Sequence, residues 1–197
     1  MSFEESVRAH PAKYFGVGRD SPELPTEILQ RVVEDALHHP GDGTHGRIVV
    51  EIASDLCFTV RDDRPPAAGE GGTPRPAFHD SRRAPAAAAA LSTRTVVEVR
   101  RQGRGHRREL AGTVPAGAPE EFPAPGDPDG TRTTFHLDPA YIAPGEAIAW
   151  ALRPEELHAG HCRVPLAPAD LVIHDLRADD APPRPPRPRN LVTHEQL

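Results

Sequence analysis

Along residues 25–39 the apolar side chains Ile28, Leu29, Val32, Val33, Ala36 and Leu37 recur at a 3.6-residue spacing. Pro25 opens this stretch and Pro40-Gly41 closes it, which predicts a helix with one buried stripe. The period then changes. Residues 47–53 (RIVVEIA) and 56–62 (LCFTVRD) are β-branched runs on either side of Ser54-Asp55 and predict a hairpin. Residues 94–101 (RTVVEVRR) and 106–110 predict a second hairpin around Gly103-Arg104-Gly105. Residues 131–137 (TRTTFHL) alternate cleanly, and residues 169–176 (ADLVIHDL) read as a last strand. Residues 86–91 and 146–152 are short helix candidates, Trp150 reading as core. Strand pairs joined by short turns outnumber helices. The expected class is therefore α+β: a two-layer sandwich of a mixed, mostly antiparallel sheet with helices on one face.

Composition sets limits on this pattern. The chain carries 24 Pro and 16 Gly in 197 residues, well above the usual share of about 12%. The excess gathers in three segments without hydrophobic period, residues 64–85, 115–129 and 179–197. The expected organisation is one domain over residues 1–178 and a Pro/Arg-rich tail, polyproline II or disordered, over 179–197. No run approaches the roughly 18 apolar residues of a membrane helix, and the acidic N-terminus lacks the apolar run of a secretory signal. Cys57 and Cys162 are too few for a disulfide framework and suit a reducing cytoplasm. Lys13 is the only lysine beside 22 arginines, a usage typical of GC-rich coding. The net charge of −6 argues against general DNA coating. A nucleic-acid contact is expected only through the basic run from Arg100 to Arg108, which equally suits a wet turn or an acidic protein face.

Several segments in order resemble a known family. Val7-Arg-Ala-His-Pro-Ala-Lys-Tyr-Phe-Gly16 is similar to V-R-x-R-P-G-M-Y-I-G, and Arg31-Val-Val-Glu-Asp-Ala-Leu37 to E-V-V-D-N-[AS]-I. Arg61-Asp-Asp63 stands where a D-D-G-R-G-I-P turn belongs. Ala90-Leu-Ser92 with Val97-Glu-Val-Arg-Arg101 resembles an N-A-L-S helix end and its following strand. Gly130-Thr-Arg-Thr-Thr-Phe-His-Leu-Asp-Pro139 is similar to G-T-x-V-x-F-x-P-D-P. The family is the N-terminal ATPase domain of the DNA gyrase B protein, within the GHKL ATPase superfamily. The resemblance covers most of residues 7–140 and continues more weakly to about residue 178.

The resemblance implies an adenine edge read by Asp62 and Thr131, with Arg101 at a pocket mouth that contacts aminocoumarin antibiotics. It also implies a catalytic machinery that this chain departs from. The family's general-base Glu is here Arg31, whose guanidinium has no acceptor for a water proton. The family's Mg²⁺-binding Asn is here Asp35, four residues on along the same helix face, so an Arg31–Asp35 ion pair is expected. Arg64-Pro-Pro66 replaces glycines whose N–H groups approach the nucleotide, and residues 80–85 replace the glycine-rich lid. Gly69-Glu-Gly-Gly72 precedes no helical pattern. Arm-exchange dimerisation and a lysine from a second domain are likewise not expected.

The expected function is thus a catalytically inactive gyrase-B-like fold acting as a binding or regulatory module for an unknown protein or small molecule. No catalytic residue, metal or cofactor is expected, and Asp62, Thr131, Asp35 and Arg101 are the candidate ligand contacts. One alternative is an ATPase using Mg-ATP, with its base rebuilt from Glu34 or Asp35. Another is an aminocoumarin-like small-molecule sensor or decoy. His158-Ala-Gly-His-Cys162 offers two imidazoles and a thiol, short of the four ligands zinc takes. His38-His39 suits a helix C-terminus through the dipole, and Gly16-Val-Gly18 lacks the rest of a dinucleotide fingerprint.

Overall fold

Ser2 and Glu5 start the chain's first element by capping each other. The Ser2 hydroxyl accepts from Glu5 N at 3.1 Å and Ser2 N donates to Glu5 Oε2 at 2.6 Å, which satisfies two otherwise open donors. They open α1 (Phe3–Ala9), followed by α2 (Ala12–Phe15), closed by Gly16 at φ +80°. The long amphipathic helix α3 (Leu24–Leu37) follows, with all six residues of the predicted stripe buried. The structure, a computed structural model, describes residues 1–38, 46–63, 83–158, 166–167 and 169–177.

Next come β1 (Ile48–Ser54), β2 (Cys57–Asp62), α4 (Arg83–Ala90), β3 (Ser92–Arg101), β4 (Arg104–Ala111), β5 (Val114–Pro115), β6 (Glu120–Pro123), β7 (Gly130–Leu137), α5 (Pro154–Leu157) and β8 (Leu171–Asp175). The strands form one eight-stranded sheet in the order β5-β4-β3-β7-β2-β1-β8, and β6 shares the edge of β4 with β5. All pairings are antiparallel except β1–β8. The class is α+β with an open, mostly antiparallel sheet.

Alternation sorts the strand residues between two faces. Ile48, Val50, Ile52, Phe58, Val60, Phe135 and Leu137 turn to one face and are buried in a core with α1, α2, α3 and α4. Phe58 and Phe135, paired across β2 and β7, stack with ring centroids 5.0 Å apart. Ala87, Ala88, Ala89 and Ala90 are buried too, their small side chains giving α4 a close approach to the layer. The other face carries Arg61, Arg132, Glu98 and Arg107 in one row across neighbouring strands.

Several expectations are corrected. The second hairpin turns at Gln102-Gly103, both at positive φ as a two-residue type I′ turn requires, so Arg104 and Gly105 lie in the strand. The first turns at Asp55-Leu56 instead of Ser54-Asp55. The segment 115–129 contains β6, where the Phe122 ring lies over Gly105 in the space a Cβ would fill. Residues 146–152 are not a helix. Their backbone groups go elsewhere: Ile148 N donates to Asp55 O at 2.9 Å and Ala149 N to Thr26 Oγ1 at 2.9 Å. The carbonyls of Ile148 and Ala149 accept from Arg177 at 2.8 and 3.0 Å. Trp150 is half-buried and not core, its ring lying 3.8 Å beneath the Arg177 guanidinium. The Arg177 side chain is 5% exposed and also pairs with Asp175 and Asp55. Burial works to raise the Asp175 carboxyl, but hydrogen bonds from Arg177 hold it below its ordinary range. Residues 64–82, with Arg64-Pro-Pro66, and the tail 179–197 lie outside the described residues, while residues 83–85 of the expected loop open α4 instead, with Pro85 buried. No helix among the described residues is long and apolar enough to cross a membrane.

Candidate functional site

Asp62 ends β2, and its partner across β7 is Thr131, so strand pairing alone brings the two to adjacent positions on the helix-side face. The row continues from Ile48 through Asp62, Thr131 and Val99 to His106. Asp62 and Thr131 are each 6% exposed, placing a carboxylate and a hydroxyl at the rim of a mostly apolar layer that also buries Thr95 and Thr133. Neighbouring strands lie about 4.8 Å apart, so the two polar side chains start close together. Gly130 makes this approach feasible: a Cβ there would run into the Asp62 carbonyl oxygen. The strand start at Gly130 is therefore part of the site's construction. Just outside it, Asp63 Oδ1 accepts from Arg47 N at 3.0 Å and ties the end of β2 to the start of β1.

Arg101 lies two residues beyond Val99 on β3, the residue that pairs with Thr131, and so falls on the same face one step further out. It is half-buried and stands opposite Arg104 across the hairpin. Three of the four candidates, Asp62, Thr131 and Arg101, thus share one face at one end of the sheet. Asp35 comes from a different layer, half-buried on α3, which packs over β1 and β2.

Arg31 sits on α3 with Nη1 2.8 Å from Glu34 Oε2, while Glu34 Oε1 accepts from Gln30 Nε2 at 3.1 Å. The expected Arg31–Asp35 pair is corrected to Arg31–Glu34. An i,i+3 neighbour lies on the same helix face as an i,i+4 one, and Arg31 extends toward the Gly16 turn, where a Cβ would lie 3.7 Å from Nη2. Both Glu34 oxygens are engaged within the helix.

The remaining constellations resolve separately. The His38 and His158 rings lie with centroids 5.3 Å apart at 36°, while His39, His161 and Cys162 lie outside the described residues. Among the described residues no group of three or more His, Cys, Asp or Glu is placed to hold a metal ion. Cys57 is a free thiol, half-buried, and burial pushes its pKa up and away from the reactive thiolate. The basic run is split by alternation: Arg101, Arg104, His106 and Arg108 face the helix side, Arg100 and Arg107 the open side. Arg100 bonds Glu98 at 3.0 Å.

No protein-family model matches the chain, and a search of curated proteins finds no match either.

Proposed function

We propose that this chain is a catalytically inactive relative of the gyrase-B-type ATPase fold, working in the cytoplasm as a binding or regulatory module with a small-ligand pocket at Asp62 and Thr131. The observation that carries the reading is the register match of those two residues, both nearly buried, beside Arg101 on one face. A buried carboxylate and hydroxyl side by side suit a ligand edge offering a donor next to an acceptor, such as an aminopyrimidine or adenine ring.

The arrangement of α3 supports the absence of hydrolysis. Where the resemblance places a general base, Arg31 offers only donors, and the adjacent Glu34 has both oxygens occupied by Arg31 and Gln30. Glu34 as a rebuilt base would first have to give up both bonds, which weighs against an ATPase. Arg101 at the rim favours the second reading, a sensor or decoy for an aminocoumarin-like molecule, because its guanidinium can meet a planar or anionic substituent.

Calorimetric titration separates these readings. Adenosine and ATP should bind weakly and equally, with no phosphate release in the presence of Mg²⁺, and Asp62→Asn should remove the binding. Mg-dependent turnover lost in Glu34→Gln or Asp35→Asn would replace the proposal with the ATPase. A thermal shift with novobiocin and none with adenosine would favour the sensor.

A further inference from the structure

On the face of the sheet away from α3 and α4, the open side of β7, β3 and β4 holds a solvent-open pit of about 180 Å³. Val96 forms its floor because it is the one short apolar side chain at the centre of longer neighbours. Arg94 and Glu98 lie two residues to either side of Val96 on β3. His136, Thr134 and Arg132 flank them on β7, opposite Arg94, Val96 and Glu98 respectively, and Arg107 closes the pit from β4, opposite Glu98. A second cavity of about 420 Å³ lies on the far side of Arg107, toward Ala116 and Glu120, so this guanidinium stands between two open spaces.

In the lining itself guanidinia outnumber carboxylates, while Glu109 and Glu51 just outside it pair with two of the three. Three guanidinia meet one lining carboxylate, Glu98, and Arg100 already bonds that group at 3.0 Å. Arg94 directs Nε and Nη2 to Glu109, both at 2.8 Å, which fixes the side chain and leaves Nη1 unspent. Arg132 gives Nη2 to Glu51 at 3.3 Å. Arg107 makes no ion pair within 4 Å among the described residues, although its charge reaches the Glu109 carboxyl on the same strand. The Thr134 hydroxyl is held by Thr59 at 2.9 Å. Burial and the nearby Arg94 push the His136 imidazole below its ordinary range, so near neutrality it is uncharged and presents one N–H.

From this convergence we infer that the pit is a binding site for a small doubly charged oxyanion, a phosphoryl group or a compact dicarboxylate, seated on Val96 and held by Arg107 with Arg94 and Arg132. Guanidinium forks match planar carboxylate and phosphate edges, and two of the three are held in place by acidic neighbours. The space, at about 30 Å³ per liquid water, takes an ion of either kind. The pit lies on the sheet face opposite Asp62 and Thr131 and is independent of the pocket proposed there.

The test is a titration of labelled protein with inorganic phosphate and, separately, with succinate at constant ionic strength. The arginine Nε–Hε and His136 ring resonances report occupancy. Saturable shifts of Arg107 and His136 with at least one ion are expected, and the tighter ion assigns phosphoryl or dicarboxylate chemistry. Arg107→Gln should weaken binding about tenfold or more, and Val96→Phe, which fills the floor without changing charge, should remove it. Melting temperatures of both variants should stay near the parent's. Shifts no larger than those from sodium chloride, or undiminished binding in Arg107→Gln, would overturn the assignment; Arg107→Gln decides it even if Val96→Phe proves unstable.

Discussion

On the helix side of the sheet, Phe58, Phe135, Val60 and Ile52 are packed against α3 and α4 with almost no exposed area. On the open side the same sheet carries Arg132, Glu98 and Arg94, each in an ion pair, with His136 beside them, all open to solvent. The backbone is shared, so the contrast isolates the side chains. The first face derives its stability from removing apolar surface from water, at about 25 cal/mol per Å². The second gains little from its ion pairs, because water and salt screen exposed charges. A face that contributes little to stability is free to carry charges arranged for another purpose. Asp62 and Thr131, like Thr95 and Thr133, are polar residues on the packed face, and Asp62 is the charged one among them.

The contrast can be broken most directly in the packed layer. Phe135→Ala removes one ring of the Phe58–Phe135 stack and should cost about 3–5 kcal/mol in urea unfolding; a loss no larger than that of Arg132→Ala would end the distinction between faces. A smaller change, of opposite sign, is expected at Thr95. Its hydroxyl is fully buried on the packed side with no hydrogen-bond partner among the described residues. Thr95→Val should therefore stabilise the protein by about 1 kcal/mol in the same assay. The smallest effect belongs to the open face. Hydrogen bonding from Arg94 holds the Glu109 carboxyl below its ordinary range, so the folded state binds that proton less readily than the unfolded chain. The pair's contribution is present above the ordinary carboxyl pKa and is lost as pH falls through the lowered folded value. The melting temperatures of the parent and Glu109→Gln should differ slightly at neutral pH and low salt. They should converge in acid and again in high salt.

Long periodic segments were legible in the chain. The α3 stripe, both main hairpins, β7 and β8 were all readable, with no boundary shifted by more than two residues. The capping residues of α1, Ser2 and Glu5, carried a readable signal that a seven-residue helix with one buried apolar residue does not reinforce by period. The failure at 146–152 has another cause: an apolar spacing that suits a helix was overridden by partners distant in sequence, Asp55, Thr26 and Arg177. β6 was hidden because its short run depends on pairing with β4 and on Phe122 covering Gly105. Of the candidate site, the residue types were visible in advance, but the neighbourhood of Asp62 with Thr131 was a matter of register between strands some 70 residues apart.

The sequence by itself determined the periods: which stretches bury a stripe, which alternate, and that position 31 on α3 is an arginine. Those are local facts, fixed by spacing and side-chain chemistry. Tertiary structure alone decided what each polar residue meets. It gave Arg31 to Glu34, set Asp62 beside Thr131 across two strands, and divided the basic run between opposite faces of the sheet. Its last effect was to gather Arg94, Arg107 and Arg132 from three strands around one valine. Such meetings depend on strand order and register, and a shift of one residue would reverse every face.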